Sequence, residues 1–80
     1  MEKFTSFVVE DNSLALEMLV KDISENHTEL EILGTAKSVI EAAKFLQKNQ
    51  PDILFLDIML GDGTGFDLLE ILPNLKSKII

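Results

Sequence analysis

The chain has 80 residues, 46% of them hydrophobic, and its 14 acidic and 7 basic side chains give a formal net charge of −7 at pH 7. This length allows one small domain, and the acidic balance with scattered lysines argues against direct nucleic-acid binding by this segment. The absence of cysteine excludes disulfides and thiolate metal sites. Because there is no long apolar run, and no signal-peptide pattern at Met1–Phe4, we expect a cytoplasmic protein without membrane contact.

The first strand–helix unit lies at the start of the chain. Phe4–Val9 is apolar and β-favouring, and the polar residues Glu10–Asn12 end this strand. Asn12 or Ser13 can cap the following helix, which we expect from about Leu14 to about Glu25. The apolar residues of this helix recur at helical spacing and form one inner stripe, Leu16, Leu19, Val20 and Ile23.

The second unit has a weaker strand signal. Leu30–Ala36 alternates imperfectly between apolar and polar residues, which predicts an edge strand and not a central one. Ser38 and Glu41 have capping-box spacing and mark the start of a second helix. This helix ends before Pro51, because proline disfavours helix at the preceding residue. Its predicted inner face consists of Val39, Ala42, Ala43 and Leu46.

The third strand is a continuous apolar run, Ile53–Leu56, followed directly by Asp57. A run without alternation is typical of a strand buried on both faces of a parallel sheet. Asp57 then lies at the carboxyl end of the strand, which is the edge where open α/β sheets bind ligands.

A glycine-rich connection, Gly61–Gly65, leads into a third helix, Phe66–Leu72, with Thr64 as its cap. The connection lacks the lysine of a phosphate-binding loop, so we expect a flexible link and not a phosphate cradle. Lys76–Ile80 has the pattern of the start of a fourth strand. The predicted inner face after Thr64 is Leu68, Ile71, Leu72 and Leu75, and we also expect Phe45, Phe55 and Phe66 in the core.

Strands and helices alternate throughout, which predicts an α/β fold with a parallel sheet. Acidic residues follow two of the strands: Glu10 and Asp11 after the first, and Asp57 after the third. If these strands are neighbours, about 5 Å apart, the carboxylates lie within a few ångströms of one another. Like charges raise one another's pKa, and a hard cation such as Mg²⁺ removes that conflict. The sequence therefore predicts a magnesium site that keeps Asp57 ionised and nucleophilic.

Three segments resemble the receiver domains of two-component response regulators: Val8–Asn12, Pro51–Leu60 and Gly65–Leu69. They occur with the family's spacing, and the resemblance covers essentially all 80 residues. The residue pattern of the chain is most similar to that of receivers that precede LytTR-type DNA-binding domains. The resemblance implies the flavodoxin-like fold of receivers, truncated at the start of the fourth strand. Residues 1–80 would then be the N-terminal portion of a receiver domain, with three strand–helix units and the start of a fourth strand.

The resemblance also implies a function and a set of roles. Asp57 is similar to the phosphoacceptor, which takes a phosphoryl group from a sensor histidine kinase. Asp11 resembles the direct Mg²⁺ ligand, Glu10 resembles the ligand that acts mostly through water, and the backbone carbonyl of Met59 matches the remaining protein ligand. A receiver is a signalling module and not an enzyme.

The chain departs from the family pattern in two respects. Leu60 and Gly61 stand where family members commonly have Met-Pro. Residues 1–80 also contain no counterpart of the hydroxyl residue that ends the family's fourth strand, or of the lysine that ends its fifth. In the family these two groups bind the phosphoryl group and couple it to a conformational switch. The residues present therefore match the metal and nucleophile half of the family's site.

Two other functions remain open. A haloacid-dehalogenase-like phosphatase also places a nucleophilic Asp after an apolar strand, but the position of its general acid is here Met59, which cannot transfer a proton. Alternatively, the chain is a fragment without signalling activity, in which an open edge at Ile53–Leu56 pairs with another chain to form a homodimer or a domain-swapped oligomer. His27, the single histidine, is expected in a solvated loop.

Overall fold

The computed structural model describes residues 3–80, so Met1 and Glu2, which belong to the predicted domain and to the segment inspected for a signal peptide, lie outside it. In chain order its elements are β1 (Phe4–Val9), α1 (Ser13–Asn26), β2 (Leu30–Ala36), α2 (Val39–Leu46), β3 (Ile53–Leu56), β4 (Met59–Leu60), β5 (Gly63–Thr64), α3 (Gly65–Ile71) and β6 (Lys78–Ile79). Between residues 3 and 80, no helix is long and apolar enough to cross a membrane.

Four strands form one parallel sheet in the order β2-β1-β3-β6. This arrangement confirms the predicted α/β fold and the edge position of β2. One expectation is wrong, since β3 is not an open edge. The amide of Lys78 donates to the carbonyl of Asp52 at 2.9 Å, and Ile80 exchanges hydrogen bonds with Leu54 and Leu56 at 2.9 and 3.0 Å. On that side of the sheet the edge is therefore the outer side of β6, and β2 forms the opposite edge.

The sheet carries helices on both faces. Phe7 and Val9 belong to a buried cluster with the inner faces of α2 and α3, and Phe7 stacks on Phe45 with ring centroids 4.2 Å apart. Val8 and Ile23 are buried outside that cluster, on the side of α1, because successive strand residues point to opposite faces. The predicted inner face of α2 is confirmed in full: Val39, Ala42, Ala43 and Leu46 are all buried.

Two apolar residues expected inside lie on the surface. Phe66, at the start of α3, is 64% exposed, and Ile71, at its end, is 51% exposed. The face of α3 that packs inward passes through Gly65 and Leu68 instead. Since Phe66 directly follows Gly65, helical geometry directs it away from that face.

The glycine-rich connection is a small antiparallel hairpin, which the sequence did not predict. In this hairpin Met59 pairs with Thr64, and Leu60 pairs with Gly63. Gly63 has a φ of 155°, a backbone conformation that favours glycine. The segment after Asp57 thus contains paired strands, where the sequence predicts only a flexible link.

Candidate functional site

The register of β1 and β3 determines which residues meet at the carboxyl edge of the sheet. Val9 pairs with Leu56, and the amide of Asp57 donates to the carbonyl of Val9 at 3.1 Å. On the other side of β1, the amide of Glu10 donates to the carbonyl of Ala36 at 3.0 Å. Glu10 and Asp57 therefore lie where β1 and β3 end, and these two strands are neighbours.

The three acidic side chains predicted to meet at this edge do so. A carboxylate oxygen from each of Glu10, Asp11 and Asp57 lies within 4.8 Å of the others. Glu10 and Asp57 are half-buried, whereas Asp11 is exposed. We call these three residues the acidic cluster. Carboxylate oxygens at this separation, with one group open to solvent, suit a hard cation that keeps part of its water shell.

Electrostatics within the acidic cluster favour a bound cation. Burial raises the pKa of Glu10, the charge of Asp57 raises it further, and the hydrogen bond from the Asn12 amide at 3.1 Å opposes both effects. A raised pKa means that the folded protein disfavours the ionised form of Glu10. A divalent cation supplies the positive charge that the arrangement lacks, so the donor set fits Mg²⁺.

Met59, the fourth residue predicted for the site, lies in β4, two residues after Asp57, and its side chain is 67% exposed. The role of its backbone carbonyl as a ligand stays a prediction.

Gly65 is held against the strand that carries Asp57. Its amide donates to the carbonyl of Ile58 at 2.8 Å. A Cβ atom at Gly65 would lie 2.7 Å from the backbone oxygen of Asp57 and 3.0 Å from Cγ of Leu56. Because no real Cβ atom approaches backbone that closely, this position requires glycine, and α3 packs directly against the site.

Asp62, at the tip of the hairpin, is a residue that sequence reasoning missed. Its carboxylate accepts hydrogen bonds from the backbone amides of Val39 at 2.8 Å and Ile40 at 3.1 Å, the first two residues of α2. The bond from Val39 holds the pKa of Asp62 below its usual value, and the bond from Ile40 adds to this effect. The only sequence signal was an acidic residue between two glycines, and that pattern does not identify a partner more than 20 residues away.

An apolar cavity of about 280 Å³ lies beside Asp57, between β3, α3 and the end of β6. Phe66 lines this cavity, so the cavity is what its exposed ring faces. His27 follows α1 near Asp22, with 4.0 Å between Nε2 and the carboxylate. It lies at the edge of the sheet opposite to Asp57 and is exposed, as expected.

Comparison with known proteins identifies a family that the chain matches. The model of the response regulator receiver domain matches residues 7–80. The chain is 46% identical over 70 residues to the sensory transduction protein LytT of Bacillus anthracis, covering 88% of this chain and 28% of LytT. It is 33% identical to the transcriptional regulatory protein CitB of Klebsiella pneumoniae, covering all of this chain and 35% of CitB.

A solved structure agrees with the fold. The non-phosphorylated HemR receiver domain from Leptospira biflexa superimposes with a TM-score of 0.76 at 30% identity, covering 92% of this chain and 57% of that one. The chain thus spans little more than half of that receiver, and 28% of LytT and 35% of CitB.

Proposed function

This chain belongs to the response regulator receiver domain family, of the type associated with LytT, and from that premise we propose that Asp57 is its phosphoacceptor. Receiver domains are signalling modules, and the family supports a phosphoacceptor role for the chain as a whole. The observation that carries the choice of residue is the convergence of Glu10, Asp11 and Asp57 at the end of neighbouring strands. Asp57 is the member that follows β3, one of the two inner strands of the sheet.

The chemistry proposed for Asp57 is attack of a carboxylate oxygen on phosphorus. A new P–O bond forms to Asp57, while the bond from phosphorus to a histidine nitrogen of the donor kinase breaks and the imidazole leaves. The half-buried Asp57 must be ionised for this attack. The hydrogen bond from the Asp57 amide to the carbonyl of Val9 holds the backbone of Asp57 beside β1.

Mg²⁺ is the cofactor that we propose for the acidic cluster. Asp11, Asp57 and the carbonyl of Met59 would hold the ion directly, and Glu10 would contact it mainly through water. When bound, the ion offsets the negative charge of the carboxylates and of the incoming phosphoryl group. The ion would also offset the repulsion between Asp57 and Glu10, whose pKa is raised by burial and by Asp57.

The phosphatase alternative is less consistent with the site. Such an enzyme needs a proton-transferring side chain two residues after the nucleophile, and Met59 occupies that position with an exposed thioether. It also assigns no role to Glu10 and Asp11, which here lie within 4.8 Å of Asp57.

The decisive experiment is phosphorylation by a small donor. The protein is incubated with acetyl phosphate and Mg²⁺, and its intact mass is measured. We expect one phosphate adduct, which is lost when EDTA replaces Mg²⁺ and when Asp57 is changed to Asn. Asp52→Asn is the matched control, because Asp52 flanks the other end of β3 and accepts hydrogen bonds from Thr5. Absence of an adduct on the protein, or an adduct that survives Asp57→Asn, contradicts the proposal.

A second partner proposed for this chain is another copy of itself. The outer edge of β6 has no strand partner within residues 3–80, and the exposed apolar residues Ile79, Ile80 and Phe66 surround it. Two copies can satisfy that edge by pairing the same strand, which buries these side chains. Sedimentation should show concentration-dependent dimers that Ile79→Lys abolishes. Ile40→Lys, at an exposed position of α2, should leave them intact, and a monomer at all concentrations contradicts the proposal.

A further inference from the structure

The segment that follows Asp57 is attached to the rest of the molecule at two points. At its base, the amide of Gly65 donates to the carbonyl of Ile58 at 2.8 Å and closes the hairpin. At its tip, Asp62 accepts hydrogen bonds from the amides of Val39 and Ile40. The first attachment lies within the segment, whereas the second joins it to a different element, α2.

The contacts of Asp62 are additional to the ordinary capping of α2. Ser38 is the N-cap, and its hydroxyl oxygen accepts a hydrogen bond from the amide of Glu41 at 3.1 Å. The Val39 and Ile40 amides belong to the first turn of the helix and have no acceptor within it. Asp62 therefore satisfies groups that the helix itself leaves free, and its charge is favourable beside a helix N-terminus.

Packing supports the same attachment. A Cβ atom at Gly63 would lie 3.2 Å from Cγ2 of Val39 and 3.0 Å from Oδ2 of Asp67, so the hairpin backbone rests on the first residue of α2. Leu60, on the opposite strand of the hairpin, is buried in the main core. The hairpin is thus held by the buried side chain of Leu60 on β4 and by the close approach of the β5 backbone to α2.

From this geometry we infer that Asp62 is a positioning residue for the acidic cluster. Its carboxylate binds two amides of α2 and so fixes the hairpin, which includes Met59, relative to the sheet. This fixes the course of the chain between Asp57 and α3. The inference rests on the proposed function, because it assigns Asp62 a role in the Mg²⁺ site, although Asp62 does not belong to the acidic cluster.

The test compares two ways of weakening the start of α2. Asp62→Ala removes the contact to the hairpin and the capping of α2 together. Ser38→Ala removes a cap from the same helix without a contact to the hairpin, so it is the matched control. Mg²⁺ affinity is measured by titration calorimetry, and thermal unfolding is measured in parallel. We expect both variants to unfold at lower temperature, but only Asp62→Ala to lose Mg²⁺ affinity, by about tenfold, as is typical when a group that orients ligands is removed.

Asp62→Asn serves as the conservative variant. It keeps one oxygen acceptor for an α2 amide and should lose less Mg²⁺ affinity than Asp62→Ala. An equal loss in Asp62→Ala and Ser38→Ala, or no loss in either, overturns the inference because the role of Asp62 is then structural only.

A second measurement separates this inference from the proposed function. Hydrogen exchange of the Gly65 amide, which donates to Ile58, reports on the hairpin without any metal. We expect faster exchange in Asp62→Ala and unchanged exchange in Ser38→Ala. If the unaltered protein binds no Mg²⁺, the proposed function fails, and the inference that Asp62 positions a Mg²⁺ site fails with it. Unaltered Gly65 exchange in Asp62→Ala, together with normal Mg²⁺ binding by the parent protein, overturns the inference alone.

Discussion

Among single residues, Glu10 shows that the acidic cluster does not stabilise the fold. Burial and the charge of Asp57 raise its pKa, so the folded protein holds an ionised carboxylate less readily than the unfolded chain does. At pH values above the folded-state pKa of Glu10, the burial of Glu10 beside Asp57 therefore lowers the free energy of unfolding. A carboxylate whose pKa is perturbed by burial and by a neighbouring charge is typical of functional sites.

Gly65 is expected to be intolerant of any side chain. Gly65→Ala places a Cβ atom 2.7 Å from the backbone oxygen of Asp57, which can move only if α3 or the site strand shifts. We expect a loss of about 1–3 kcal/mol in the free energy of unfolding, the range for overpacked sites. Urea denaturation measures it. Gly61→Ala is the control, since nothing lies within 4 Å of its Cβ position, and it should change stability by less than about 0.5 kcal/mol. Similar effects at both positions would contradict the close approach.

Asp62 is expected to make stability depend on pH in the acid range. Its pKa in the folded protein is lowered from 3.8 by the hydrogen bond from Val39 and then by that from Ile40. A lowered carboxyl pKa contributes stability that is present above 3.8 and is lost as the pH falls through the folded value.

The measurement is the difference in unfolding free energy between the protein and Asp62→Asn, followed by urea denaturation from pH 7 down into the acid range. The protein should be more stable than the variant at neutral pH, and the difference should shrink below pH 3.8. A difference that is constant with pH would show that the charge of Asp62 has no role.

At the scale of elements, the features predicted from sequence are those that depend on neighbouring residues. Asn12, Ser38 and Thr64 cap the three helices, and each accepts a hydrogen bond from an amide three residues later. The bounds of β1, β2 and β3 also match the prediction. Capping and hydrophobic periodicity act within one turn or one strand, so they can be read locally.

The features that sequence did not predict depend on tertiary contacts. Strands of two residues, such as β4 and β5, are too short to show any period, and Gly61–Gly65 offers few side chains to read. The partner of Asp62 lies on α2, far along the chain. Phe66 was expected in the core, but the close approach of Gly65 to the site strand turns a different face of α3 inward.

The acidic cluster was predictable for a different reason. Parallel neighbours bring their carboxyl ends to one edge of a sheet, so Glu10 and Asp57 meet once β1 and β3 pair. The pairing of β3 with β6 was not foreseen, because only the beginning of a fourth strand was recognised in Lys76–Ile80. The two paired residues of β6 and the backbone hydrogen bonds of Ile80 are sufficient to give β3 a strand partner on that side.

The buried face of α2 leads to a stability prediction for that element. Leu46 is 3% exposed in the main core, whereas Ile40, on the same helix, is 62% exposed. Leu46→Ala should lower the free energy of unfolding by about 2–5 kcal/mol through lost burial and the cavity left behind. Ile40→Ala should change it by less than about 0.5 kcal/mol. Urea denaturation of both variants checks this, and equal losses would mean that α2 does not pack as described.

For the whole molecule, charge and site act together. A net charge of −7 on 80 residues means that the folded chain repels itself, and the acidic cluster concentrates part of that repulsion in one place. Any salt reduces the general repulsion by screening. Only an ion that binds Glu10, Asp11 and Asp57 specifically can stabilise the protein beyond that screening.

Mg²⁺ should therefore raise the unfolding temperature more than NaCl of equal ionic strength. At a free concentration about ten times the dissociation constant, specific binding contributes about 1.4 kcal/mol, which corresponds to about 5–10 °C for a domain of this size. Asp57→Asn should be more stable than the protein in the absence of Mg²⁺, since it relieves the repulsion of Glu10, and should gain little when Mg²⁺ is added. Asp22→Asn, an exposed change on α1, should keep the full response. If NaCl alone, or Asp57→Asn, reproduces the Mg²⁺ effect, then the stabilisation is screening of the net charge and the acidic cluster is not the binding site.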